Sequence, residues 1–281
     1  MFPLVCEILL IAKRRPQVTK MSAYSAKIPD EMGHIAYSEE EDGVWRDLYA
    51  VQELPVHRHM AEPYLRGLKV LDLPHDRVPQ CNEVSDRLRD LTGWQVAPVP
   101  ALIGFGRFFG MLADKTFPAA SFIRSRKDFD YIEEPDIFHE IFGHTPLLAD
   151  PRIARVSQAI GKAGLKAEAK DYSWLIRLYW FSIEFGLLQQ GQGVKALGSG
   201  LASSPTELAY SVSSEVPERR EFNLLDVLRT PYRIDIHQPV YFVIQSIEEL
   251  EEMSERDLLA DVRVAQSMGL FAPTYPEKAA S

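Results

Sequence analysis

The chain has 281 residues, 46% of them apolar and 25% charged, with a formal net charge of −9. That balance supports a buried core in one large domain or two small ones, and the acidic total excludes a nucleic-acid partner, whose phosphates require a basic face. With Cys6 and Cys81 as the only cysteines, a disulfide framework and a thiolate metal site are excluded as well, so any metal must rest on histidine and carboxylate.

In chain order, Phe2 to Ala12 is an apolar run followed by Lys13, Arg14, Arg15 and Pro16. It is too short to span a bilayer, Glu7 interrupts it, and its positive charge follows the apolar stretch where a signal peptide would place it before. The expectation is a cytoplasmic protein without a membrane partner, in which residues 1–20 are an extension or a misplaced start. Residues 1–40 as a whole read as a poorly ordered N-terminal extension, with Ser38 to Asp42 an acidic, solvated stretch. One domain is expected over residues 41–270, then a tail over 271–281; no repeat or low-complexity tract divides the chain.

Helical spacing begins with Val44, Trp45, Leu48, Tyr49, Val51 and Leu54. Further helices are predicted over Ala61–Leu68 and Val84–Leu91, the latter stopped by Gly93. Val96 to Leu112, rich in Pro, Gly and Phe, reads as a loop entering a short helix, either open to a ligand or buried with its phenylalanines packed. A short extended run follows at Ser121–Arg124. Pro135 opens the most informative helix, and others are predicted over Pro151–Ala163, Tyr172–Gln190, Pro205–Glu215, Asn223–Leu228 and Gln238–Glu252, with a short strand at Arg233–Ile236. Helix dominates.

The chemistry concentrates in Glu134-Pro135-Asp136-Ile137-Phe138-His139-Glu140-Ile141-Phe142-Gly143-His144. Proline suits a first helical position, and Asp136 suits the positive end of the helix dipole. His139 and His144 are five apart, which on a continuous α-helix leaves them roughly 140° apart around the axis. Gly143 offers a way out, since a left-handed glycine would end the helix and turn His144 back. The spacing HExxxH also differs from HExxH, in which two zinc ligands share a helical face. For a third ligand the candidate is Glu184, on an almost wholly apolar helix where a carboxylate is costly unless paired or bound to metal. Arg177, seven residues back, offers the competing explanation of a buried ion pair. Two histidines and a carboxylate suit the facial triad of non-haem Fe(II) oxygenases, and equally a zinc hydrolase, with Glu140 as base. His57 and His59 form an HxH pair with no third ligand near in sequence, and His34, His75 and His237 read as surface or packing residues.

The segments Phe122-Ile123-Arg124, Tyr131 to His144, Tyr179 to Gly186 and Gly198 to Glu207 closely resemble the catalytic domain of the pterin-dependent aromatic amino acid hydroxylases. The resemblance runs from about Asp47 to Glu252, and without a regulatory domain or tetramerising helix it is nearest to the bacterial members acting on phenylalanine. It implies a mainly α, basket-like catalytic domain with Fe(II) near the base of a cleft. The implied reaction is hydroxylation of L-phenylalanine to L-tyrosine by dioxygen, with a tetrahydropterin such as tetrahydrobiopterin as reductant, in a monomer. Carried over residue by residue, it places the metal on His139, His144 and Glu184. It places the substrate carboxylate on Arg124 with Ser203 nearby, and the substrate pocket among Glu134, Pro135 and Trp180. Phe108 matches the residue that stacks on the pterin, Ala101 and Leu102 the loop beside it, and Glu140 and Tyr179 positions near pterin and iron, with Glu140 also the candidate for a catalytic role. Ile103 to Arg107 lacks the serines of the animal enzymes, and Ile132 stands where the animal phenylalanine enzyme has threonine. Trp180, where tryptophan enzymes carry phenylalanine, favours phenylalanine or tyrosine over tryptophan, and Ile234, where the tyrosine enzyme carries aspartate, favours phenylalanine over tyrosine. A non-catalytic sensor of aromatic amino acids is the remaining alternative, and an intact triad speaks against it.

Overall fold

The structure, a computed structural model, describes residues 24–100, 103–130, 132 and 134–275. The apolar run at the N-terminus, Ala101 and Leu102, and the end of the expected tail lie outside the described residues.

The first helix, α1 (Glu39–His59), opens on a capping box: the Ser38 hydroxyl accepts the Glu41 N–H, and the Glu41 carboxylate accepts the Ser38 N–H at 2.7 Å. The acidic stretch Ser38–Asp42, largely solvated as expected, is the N-cap and first turn of this helix, where carboxylates face the positive end of the dipole. Upstream of it, Ile35 is buried and gives its N–H to Gln80 Oε1 at 2.8 Å, and Tyr24 stacks on Phe122 at 4.9 Å. Helices α2 (Glu62–Leu71) and α3 (Cys81–Thr92) follow, the second closing on Gly93 at φ 76° as its sequence predicts.

The Pro-, Gly- and Phe-rich segment begins as a strand, not a loop. Strand β1 (Gln95–Val99) runs parallel to β2 (Thr116–Ala120), with α4 (Phe105–Ala113) crossing between them. Prolines are tolerable in so short a two-stranded pair, where one side of each strand is free of ladder bonds. The extended run expected at Ser121–Arg124 thus lies just past β2.

Next come a π-helix (Phe138–His144), α5 (Thr145–Leu148), α6 (Pro151–Lys166), α7 (Tyr172–Tyr179) and a second π-helix (Trp180–Glu184). The helix predicted to continue to Gln190 stops here, and Leu187–Gln190 is strand β3. It pairs antiparallel with β4 (Gly193–Ala196) and parallel with β6 (Val240–Ile244), which in turn pairs parallel with β5 (Glu218–Glu221). The region predicted as helix over Gln238–Glu252 is this inner strand followed by α11 (Ile247–Glu252), with α8 (Ser199–Ala202), α9 (Pro205–Ser213) and α10 (Leu224–Arg229) lying between β4 and β6. Every residue of β6 is buried, so its sequence VYFVI carries no alternation, and a continuous apolar run does not separate a buried strand from a buried helix. No strand forms at Arg233–Ile236; Arg233 there makes a two-point bond to Asp235. A final helix, α12 (Leu258–Met268), was not signalled by the sequence reading. The architecture is mainly α, as expected, with one extensive apolar core running from Val44 to Ala265.

Candidate metal centre and its surroundings

Gly143 is not among the left-handed residues. The chain brings His144 round to His139 by a different device, the i→i+5 winding of the first π-helix, which stacks residues five apart on one side. Glycine is required at 143 for closeness: a Cβ there would fall 2.8 Å from the Ser199 carbonyl oxygen of α8. Glu184 ends the second π-helix, where the Phe185 N–H bonds the Trp180 carbonyl five residues back at 2.7 Å. Arg177 stands apart with its guanidinium over the Trp174 ring, so among the described residues it is not the partner of Glu184.

His139 Nε2 lies 3.2 Å from His144 Nε2, and the two lie 3.5 and 3.1 Å from the Glu184 carboxylate oxygens. All three side chains are buried. On their far sides, His139 Nδ1 is 2.8 Å from Ser203 Oγ, and His144 Nδ1 is 3.3 Å from the Tyr179 hydroxyl. The hydroxyls fix the ring orientations, as outer partners of metal-binding histidines do. Three lone-pair donors then face one point. A shared proton answers one of these close contacts, whereas a divalent cation answers all three. Among the described residues this is the one cluster of its kind, and His57 and His59 are not part of it.

The local electrostatics suit a cation. Burial pushes the His139 imidazole down to about 4, against the pull of Glu184, and so keeps it neutral at physiological pH, the form that binds metal. Burial works to raise the Glu184 carboxyl, but the flanking imidazoles and the Ser199 hydroxyl outweigh it and hold it below the ordinary range. Glu140 is the reverse case: burial, then the charges of Glu184 and Asp136, drive its carboxyl well above the ordinary range. Its Oε1 is buried with no hydrogen-bond partner among the described residues. A neutral carboxyl here can donate a hydrogen bond to a ligand.

Arg124 and Asp136 form a buried two-point pair, Nε to Oδ2 at 2.7 Å and Nη2 to Oδ1 at 2.9 Å. Asp136 also accepts the backbone N–H groups of Arg124 and His139, so one carboxylate ties the arginine to the start of the metal-site helix. Burial opposes its ionisation, and the Arg124 charge with these bonds prevails, leaving the carboxyl below its ordinary range. Asp136→Asn would leave a buried guanidinium without its counter-charge. We expect that variant to lose about 3 kcal/mol of stability, typical for breaking one half of a buried pair, read from a denaturant melt.

Trp180 is buried, stacked on Tyr232 at 4.3 Å and within 3.3 Å of Gln238 Oε1. Pro135 is buried and Glu134 half-buried at the mouth of the first π-helix. On the other side, Phe108 meets Tyr179 edge to face at 5.5 Å, which brings two residues expected at the pterin beside His144. Ser203, expected near a substrate carboxylate, has His139 as its immediate partner. Asp136, Ser199, Tyr232 and Gln238 were not singled out for these contacts; each acts across a long stretch of chain that no local pattern encodes. No helix among the described residues is long and apolar enough to cross a membrane.

The family described as biopterin-dependent aromatic amino acid hydroxylase matches residues 9–259. The phenylalanine-4-hydroxylase of Vibrio cholerae is 46% identical over 258 residues, 92% of this chain and 89% of that one. The apo structure of the cold-active phenylalanine hydroxylase from Colwellia psychrerythraea superposes with a TM-score of 0.89 at 47% identity, covering 92% of this chain and all of that one. The Chromobacterium violaceum enzyme, solved with bound oxidised Fe(III), superposes at 0.82 with 36% identity, covering 87% and 89%.

Proposed function

The chain belongs to the biopterin-dependent aromatic amino acid hydroxylases, and from that premise we propose that it is a phenylalanine 4-monooxygenase in which His139, His144 and Glu184 hold Fe(II). The observation that carries the reading is the convergence of these three buried donors, each held from behind. Held there, Fe(II) together with a tetrahydropterin would supply the activation of dioxygen and the two electrons that hydroxylation needs.

The protein's own residues do the positioning. Asp136 holds the Nε–Nη2 edge of the Arg124 guanidinium, Nη1 reaches the Phe129 carbonyl at 3.4 Å, and the N–H groups left over receive the carboxylate of L-phenylalanine. Trp180, kept flat by Tyr232, walls the pocket with Pro135 and Glu134. Phe108 offers its ring to the pterin with Tyr179 alongside, and the Glu140 carboxyl donates a hydrogen bond within that site; Ala101 and Leu102, assigned to the same site by the family resemblance, lie outside the described residues. Burial of Phe108, Arg124, Glu140, Tyr179 and Trp180 keeps bulk water from them, which strengthens their polar interactions.

The test is hydroxylation by the Fe(II)-loaded protein given tetrahydrobiopterin and air, with phenylalanine, tyrosine and tryptophan offered together. Para-tyrosine dependent on both iron and pterin is expected. Hydroxytryptophan or a dihydroxyphenylalanine would keep the chemistry and move the substrate. Hydrolysis by a zinc-loaded protein that forms no hydroxylated product would favour the hydrolytic reading. Trp180→Phe should raise the tryptophan-to-phenylalanine ratio of kcat/KM about tenfold, the scale of a modest pocket enlargement, and an unchanged ratio would remove Trp180 from the pocket wall. The same proposal includes residues 41–270 as the catalytic unit of a cytoplasmic monomer.

A further inference from the structure

An α-helical carbonyl is satisfied by the amide four residues on. For Phe142, inside the first π-helix, that residue is Pro146, which has no N–H to give. The Phe142 carbonyl accepts instead a 2.6 Å bond from the hydroxyl of Tyr64, on α2. Tyr64 is wholly buried and meets the Phe142 ring edge on, so a missing bond here would not be replaced by water. The contact depends on α2 lying hard against the chain just past His144: a Cβ on Gly67 would fall 1.9 Å from the Pro146 carbonyl oxygen. Phe142 itself sits between the two histidines. The second π-helix has a counterpart, since Ser199 Oγ lies 3.0 Å from the Ile183 carbonyl oxygen and 3.1 Å from Glu184 Oε2.

We propose that Tyr64 is a positioning residue for the metal, its hydroxyl holding open the wide turn that sets His139 and His144 on one side. Without that bond the buried Phe142 carbonyl loses its donor, and α winding would not restore one because Pro146 has no N–H; the turn then shifts to reach another donor and carries His144 away from His139. The inference rests on the assignment of His139, His144 and Glu184 to the metal. It assigns no contact between Tyr64 and metal, substrate or pterin.

The experiment is a Co(II) titration of the full chain, followed by visible absorption, with Fe(II) uptake measured anaerobically by equilibrium dialysis. Tyr64→Phe removes one oxygen and keeps the ring. It should weaken Co(II) binding about tenfold or more, as loss of an outer partner does, and alter the Co(II) spectrum while the far-UV circular dichroism is unchanged. Gly67→Ala, which keeps the hydroxyl but forces α2 away from Pro146, should weaken it too. Ser85→Ala serves as the control, because it removes a buried hydroxyl bonded to the Cys81 carbonyl, away from the site. Equal affinity and spectrum in Tyr64→Phe and wild type would overturn the proposal, as would an equal loss in Ser85→Ala, which would reduce the effect to general stability. If His139→Ala binds Co(II) as wild type does, the metal assignment itself falls and this inference with it.

Discussion

His139→Ala should retain the fold and lose both iron and turnover. The variant removes one of three donors and leaves His144 and Glu184 facing a gap, with Ser203 Oγ deprived of its 2.8 Å partner. Loss of an outer partner alone costs up to about a hundredfold in metal affinity, so loss of a direct donor should exceed that. Hydroxylation should fall with it, because a site that does not retain iron has no means of activating dioxygen. The decisive measurement is iron content after dialysis against a weak chelator, taken beside the rate of tyrosine formation. Melting temperatures with and without Fe(II) add an independent reading. A ligand that binds only the folded state raises the wild-type value, and the variant should show no such rise. A variant that holds iron and turns over would remove His139 from the triad.

Arg124 carries the second large effect, and two consequences of its loss must be kept apart. In the proposed function it anchors the substrate carboxylate, and in the structure it neutralises the fully buried Asp136. Arg124→Ala removes both, and the stranded aspartate alone destabilises by roughly 3–5 kcal/mol. Arg124→Lys is the cleaner variant. It keeps a positive charge near Asp136 but gives up the planar fork that bonds two carboxylates at once. In each, KM for phenylalanine should rise roughly a hundredfold, about 2.7 kcal/mol at 1.36 kcal/mol per tenfold, while KM for tetrahydropterin stays near wild type. Equal rises in both constants would mean that the substitution disturbs the whole site, and the anchoring role would be withdrawn.

The parts of this protein legible in its sequence are those governed by neighbours along the chain. Gly93 stops α3 because only its own φ has to change. The helices beginning at Pro151, Pro205 and Leu224 follow their caps, Asp150, Ser204 and Asn223, each of which accepts an N–H from the first turn. The donor types of the metal site, two imidazoles and a carboxylate, are likewise written into residue identity. The misreadings have a common cause. Val240–Ile244 is wholly buried and Leu187–Gln190 is buried at its first two residues, in a sheet whose partners lie about fifty residues apart, and such burial erases the alternation that marks a strand.

The sequence by itself determined which three groups come together as candidate metal donors, the family to which their spacing belongs, and where most helices begin. Only the tertiary structure decided how they meet. Residues five apart converge through π winding, with Tyr64 from α2 on the Phe142 carbonyl and the Ser199 backbone against Gly143. Asp136, Ser203 and Tyr232 found their roles in the same way, through side chains brought from other elements. The physical reason is that a π turn is less stable than an α turn of the same residues. What offsets the difference is hydrogen bonding and packing from segments distant in sequence, which no local propensity contains.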